Sequence, residues 1–164
     1  MIPGPFRHPG AHGETMALKY LTAGVVSLGL LAATTWMLRA WPMINVVETG
    51  RTPEYPDIQP RVYRQPVERV FDGALHAVQR LPRWSLASYR AASGEIRAAA
   101  TSRVFRFVDD VLITVTRRAD ETIVAVRSAS RIGRGDFGQN ARNIRAFFEE
   151  LDRQVSESSH SQSP

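Results

Sequence analysis

The chain contains no cysteine and, among its 164 residues, a single lysine, Lys19. Without cysteine there can be no disulfide, no thiolate catalysis, no cysteine-rich zinc site and no lipidated-cysteine anchor. Without a lysine after residue 19 no Ser-x-x-Lys nucleophile is available downstream. Histidine is sparse as well, with four in the chain. His8 and His12 sit on a proline- and glycine-rich stretch without further ligands, and His76 stands alone on the polar flank of a predicted helix. None of them makes a metal site, and neither metal nor other cofactor is expected. No internal repeat is present.

One absence is local and more telling. No charge falls between Lys19 and Arg39 in LKYLTAGVVSLGLLAATTWMLRA, residues 18–40. A helix needs roughly 20 apolar residues to cross a bilayer core of about 30 Å, so residues 16–41 read as a single transmembrane helix or signal anchor. A cleaved signal peptide is the alternative, but the apolar part outruns a 7 to 15 residue signal core. It also continues through Trp36, Met37 and Leu38 past the small residues Ala32 and Ala33. Tyr20, Trp36 and Trp41 fit the aromatic belts at headgroup level. Residues 1–15 lack periodicity and read as a disordered tail, with Met16 as an alternative start.

Charge comes next. The formal net charge is +5 and the isoelectric point near 10.4, almost wholly from arginine. A basic surplus points to anionic partners, though a solvated arginine-rich surface accounts for the bulk of it.

Beyond the apolar run, Pro42, Pro53, Pro56, Pro60 and Pro66 interrupt any period, and residues 42–64 read as an extended proline-rich tether. Residues 65–155 carry legible patterns. Val67, Val70, Phe71, Ala74, Leu75, Val78 and Leu81 recur at helical steps up to Pro82. Strands are predicted at 84–91, 95–102, 110–117 and 122–130, with Val111, Ile113 and Val115 on one face and a hairpin turn at 119–121. A closing helix from about Asn140 carries Ala141, Ile144, Phe148, Leu151 and Val155 on one stripe. The serine-rich residues 156–164 read as a disordered tail. The fold class is therefore α+β: an N-terminal transmembrane helix, then a helix, a four-stranded antiparallel sheet and a helix, with both domain helices on one sheet face.

The functional reading concentrates on SASRIGRGDFGQNARNI. Gly133, Gly135 and Gly138 imitate the spacing of a dinucleotide fingerprint, but that motif requires a second parallel strand ending in an acid about twenty residues on. Here the chain runs into the serine-rich tail, so dinucleotide binding is rejected. Arg134-Gly135-Asp136 is a chance tripeptide.

The pattern VxVRSASRxGxxDxGxN at 124–140, with TSRVFRFVDDV at 101–111, resembles the bacterial domain of unknown function family 1499. The resemblance covers about Tyr55 to Val155. It rests on Phe107, Asp109, Asp110, Arg127, Ser128, Ser130, Arg131, Gly133, Asp136, Gly138 and Asn140, and implies no activity. Asn143 stands where family members often carry an arginine just before the first isoleucine of the helix.

Two readings of this motif stay open. In one it is structural: Gly133, Gly135 and Gly138 supply positive-φ positions, Asp136 or Asn140 caps the helix, and Arg127 or Arg131 pairs with Asp136 or Asp110. In the other, Arg127, Ser128, Ser130, Arg131, Asp136 and Asn140, with Asp109 and Asp110, bind an anion or a partner. Adjacent Asp109 and Asp110 face opposite sides of a strand and cannot share a proton. No catalytic residue is assigned.

The chain thus reads as a membrane-anchored, non-catalytic module of the bacterial envelope that binds a small anion, lipid headgroup or protein partner. A hydrolase or transferase on an anionic envelope substrate, with Asp110 or Asp136 as general base, is the alternative. A single span opening a chain is the usual export signal, so the domain is placed on the periplasmic side of the inner membrane, where nucleic acid is not a partner. The literal count of Arg39, Arg51 and Arg61 after the span leans the other way.

Overall fold

The computed structural model describes residues 12–40, 44–133 and 135–160, and the chain divides after residue 41 into two units. The first contributes one helix, α1 (His12–Ala40). No proline falls between Pro9 and Pro42, and leucine and alanine, both strong helix formers, dominate. Residues 12–15, predicted as tail, already belong to α1, and the rest of that tail lies outside the described residues.

The transmembrane assignment is corrected: among the described residues, no helix is long and apolar enough to cross a membrane. Side chains are described over 19–36 of α1, where Lys19, Thr22, Gly24, Ser27, Gly29, Thr34 and Thr35 dilute the apolar run. The Thr22, Ser27, Thr34 and Thr35 hydroxyls all donate to carbonyls one turn back. Leu21, Val25, Val26, Leu28, Leu30, Leu31 and Trp36 stand exposed around the helix.

The second unit is α+β. Its elements are β1 (Val46–Glu48), β2 (Arg61–Tyr63), α2 (Val67–Arg80), β3 (Trp84–Arg90), a short 3-10 turn at Ala91–Ser93, β4 (Glu95–Thr101), β5 (Val108–Arg118), β6 (Glu121–Ser130) and α3 (Gln139–His160). The six strands form one antiparallel sheet in the order β1-β6-β5-β4-β3, with β2 also on β6. Four of them are the strands predicted from periodicity.

The other two come from the predicted tether. Val46–Glu48 pairs with Arg127–Ala129 and Arg61–Tyr63 with Thr122–Val124, so β1 and β2 lie end to end along the edge of β6. Between them the prolines shape a looped excursion, closed by the Gly50 amide on the Ile58 carbonyl at 2.8 Å. Val47, Ile58 and Tyr63 are buried in the core. A three-residue strand carries too little period to be seen in sequence, and the prolines around it dominate the pattern.

α2 and α3 cover one face. Val70, Ala74, Ala77 and Val78 of α2 and Ile144, Phe147, Leu151 and Val155 of α3 meet Ile96, Ile113, Val115, Val124 and Val126 of the sheet. Gly73 lets the helices close, since a Cβ there would stand 3.3 Å from the Val155 side chain. α3 continues through His160, so residues 156–160 are helical where a tail is predicted. On the open face, Arg97, Leu112, Arg127 and Glu48 align in one cross-strand row.

Candidate functional site

The motif residues converge where β6 gives way to α3. Asp136 accepts the Gly138 amide at 2.9 Å and the Asn140 amide at 2.6 Å, capping α3 with both carboxylate oxygens. Gly133 (φ 96), Phe137 (φ 51) and Gly138 (φ 74) take left-handed backbone and turn the chain into that cap. Gly135 adjoins residue 134, which lies outside the described residues. The connection is pinned to the start of β1: the Asn45 side-chain amide donates to the Gly133 carbonyl at 3.0 Å, and the Asp136 amide to the Ile44 carbonyl at 3.1 Å.

Beneath the cap lies a buried polar network. Asn140, fully buried, accepts the Ser128 hydroxyl at 2.6 Å and donates to the Asn45 carbonyl and to Ser130 Oγ, each at 3.0 Å. Asp109, 2% exposed, accepts the Ser130 hydroxyl at 2.7 Å and the Asn143 amide at 2.8 Å. Asn143 in turn accepts from Gln139 Nε2 at 2.9 Å. Among the described residues, no buried side-chain nitrogen or oxygen lacks a hydrogen-bond partner. Burial pushes the Asp109 carboxyl up from its ordinary value, and the Ser130 and Asn143 hydrogen bonds oppose that rise.

Asp110 points the other way, as its place in the strand demands. Arg131 forks onto one of its oxygens, with Nε at 3.0 Å and Nη2 at 2.7 Å, on the exposed surface. That guanidinium holds the Asp110 carboxyl below its ordinary value. Arg127 stays apart on the open sheet face. Of the predicted site residues, the structure therefore joins Asp109, Ser128, Ser130, Asp136 and Asn140, pairs Asp110 with Arg131 outside, and leaves Arg127 separate. The sequence reading missed Asn45, Gln139 and Asn143. The available signal was the run of amides at 139, 140 and 143, too polar for the face of α3 that meets the sheet.

The corner also fixes two loops at the same end of the sheet. Loop 102–107 joins β4 to β5, and loop 131–138 joins β6 to α3. The Ser102 amide donates to the Phe107 carbonyl at 2.8 Å and the Phe107 amide to Ser102 Oγ at 2.9 Å, closing the first loop. The Arg131 amide donates to the Val108 carbonyl at 3.1 Å, so the β5–β6 register, continued, sets Phe107 opposite Ile132. Arg106 (φ 54) shares with Phe137 a left-handed backbone. Val104, Phe105, Phe107, Ile132 and Phe137 all stand exposed, Phe105 and Phe107 stacked on each other at 5.6 Å.

At the opposite end, a cavity of about 530 Å³ lies between the start of α2 and the β3–β4 turn, with Phe71 and Val115 in its wall and Glu68, Asp72 and Arg117 bringing charge. Among the described residues, no group of three His, Asp or Glu side chains is placed to hold a metal ion.

The model of a family described as protein of unknown function (DUF1499) matches residues 36–151. No curated protein matches the chain. Among solved structures, TTHA0849 from Thermus thermophilus is 12% identical with a TM-score of 0.39, over 70% of this chain and 99% of that one. Protein CV1439 from Chromobacterium violaceum is 11% identical with a TM-score of 0.35, over 69% of this chain and 95% of that one.

Proposed function

The chain belongs to the DUF1499 family of proteins of unknown function, and since that family supplies no activity to inherit, we propose from the geometry that it is a non-catalytic binding module associated with the bacterial inner membrane. The observation that carries this reading is the saturation of the polar corner. Ser128, Ser130, Asp109, Asp136 and Asn140 spend their hydrogen bonds on one another and on backbone, which leaves no unoccupied nucleophile or base there. The hydrolase or transferase reading asks Asp110 or Asp136 for a general base. Arg131 holds the Asp110 carboxyl below its ordinary value, which makes it a poor base at neutral pH, and both Asp136 oxygens are engaged in capping α3.

Membrane association is proposed through the surface of α1. Its exposed apolar side chains face outward on all sides, and its hydroxyls are satisfied by its own carbonyls, as lipid contact requires.

The test combines flotation with ligand-induced stabilisation. The full chain should float with phosphatidylcholine vesicles. Its thermal midpoint should not rise with added inorganic phosphate in a manner lost on Arg131→Ala. A phosphate-dependent rise that Arg131→Ala removes would restore an anion site at the corner. Failure to float would remove the membrane association.

A further inference from the structure

We infer that the end of the domain bearing loops 102–107 and 131–138 docks on the headgroup layer of an anionic lipid bilayer. The inference rests on the proposed membrane location and names the surface that makes contact.

Five large apolar side chains are displayed at this end instead of being folded inward. Val104 is 77% exposed, Ile132 71% and Phe105 68%, with Phe107 and Phe137 about half exposed. They sit at loop tips, not in a groove. The loops beneath them are not slack: the Ser102–Phe107 closure, the Asp136 cap and the Asn45–Gly133 bond hold their roots. Exposed apolar groups on a well-fixed scaffold mark an interaction site.

Charge selects the occupant. Arg80, Arg83, Arg103 and Arg106 are exposed around the same tips, Arg83 tied there by the Thr101 amide on its carbonyl at 2.9 Å. Asp110, exposed at the root of these loops, is already engaged by Arg131. The far end of the sheet is mixed instead, with Glu68, Asp72, Asp120 and Glu121 among Arg64, Arg117 and Arg118. The basic surplus of the domain is thus polarised toward the apolar tips. Apolar residues interleaved with arginine suit a bilayer interface, where rings enter the acyl boundary and guanidinium groups meet phosphates. Fluid headgroups conform to separate apolar tips and offer a phosphate to each guanidinium between them.

The absence of native cysteine makes the test clean. Phe105→Cys, Ile132→Cys and, as the far-end control, Asp120→Cys each receive one environment-sensitive fluorophore in the full chain. The chain is mixed with vesicles of phosphatidylcholine alone or of equimolar phosphatidylcholine and phosphatidylglycerol. On anionic vesicles, labels at 105 and 132 should shift to the blue and lose access to an aqueous quencher several-fold, while the label at 120 stays wet. High salt, or Arg103→Glu with Arg106→Glu, should reverse the shift. If the chain floats but labels at 105 and 132 stay as accessible as that at 120, docking is overturned and membrane association stands. If it floats on neither vesicle, both ideas fall. If it floats only on anionic vesicles, with 105 and 132 sheltered, docking stands and association through α1 falls. Equal sheltering on neutral vesicles would overturn the anionic selectivity. Sheltering without vesicles that grows with protein concentration would replace the bilayer by a second copy of the chain.

Discussion

Asn140 shows how one side chain can decide the standing of a motif. Its amide serves Ser128, Ser130 and the Asn45 carbonyl at once, at zero exposure. Asn140→Ala strands the Ser128 donor in the interior, at about 1–3 kcal/mol, and takes from the Asn45 carbonyl one of its two donors, at about 1 kcal/mol, the Ser130 amide remaining on it at 2.8 Å. Urea unfolding should therefore lose about 2–4 kcal/mol at unchanged m-value. Asp136→Ala, which uncaps two amides, should lose about 1–2 kcal/mol, and Arg131→Ala at the exposed pair should leave the midpoint in place. The opposite ranking would return the motif to a binding role. Asp109 adds a pH signature. Its folded value is raised by burial, so its contribution is fully present below the unfolded value and is lost as pH rises through the folded value. Asp109→Asn keeps an acceptor and removes the titration. Its stability relative to the wild type should thus improve as pH rises from about 4, the ordinary carboxylate value, through the raised folded value. A difference that does not change with pH would exclude Asp109 as the source. At this scale the sequence was partly readable: the opposed faces of Asp109 and Asp110 follow from strand geometry, and the Asp136 cap from its position before a helix. The partnership of Asn143 with Asp109 was not, because it joins residues 34 apart in the chain.

The elements divide in the same way. β4, β5, β6 and the helices announce themselves by period, since each buries alternate or every third and fourth residue against one core. β1 and β2 do not, because three residues cannot show a period and their meaning lies in the partner strand. Their role is to cover the edge of β6, which would otherwise present unpaired amides and carbonyls as a template for aggregation. A chain lacking residues 44–64 should consequently elute as soluble aggregate in size-exclusion chromatography. If it elutes as a folded monomer, the segment is dispensable and the tether reading returns. The β3–β4 turn offers a second check. Gly94 sits at φ 65, its carbonyl accepts the Val115 amide at 2.8 Å, and an added Cβ would lie 2.0 Å from the Val115 carbonyl oxygen. Gly94→Ala combines backbone strain with that collision and should lose more than about 3 kcal/mol.

At the scale of the whole molecule, the apolar content is split between a helix that shows its side chains and a domain that hides them. Every member of the core cluster, from Val47 to Val155, and every residue packed on it from Ile44 onward, belongs to the second unit. Its buried polar network likewise draws only on residues 45 to 143. The domain therefore contains what its own folding requires, with six strands and two covering helices over about the size at which single domains are stable. The expected consequence is thermodynamic independence. A chain beginning at residue 42 should unfold in urea as one cooperative transition, with the midpoint and m-value that the full chain shows for its near-ultraviolet signal, which Trp84 and its 6.2 Å stack on Phe147 report. The two proteins should differ instead in flotation, which the shorter one loses on phosphatidylcholine vesicles. A lowered midpoint in the shorter chain would mean that residues before 42 contribute to the stability of the domain, and the division into an apolar attachment and a self-sufficient module would have to be given up.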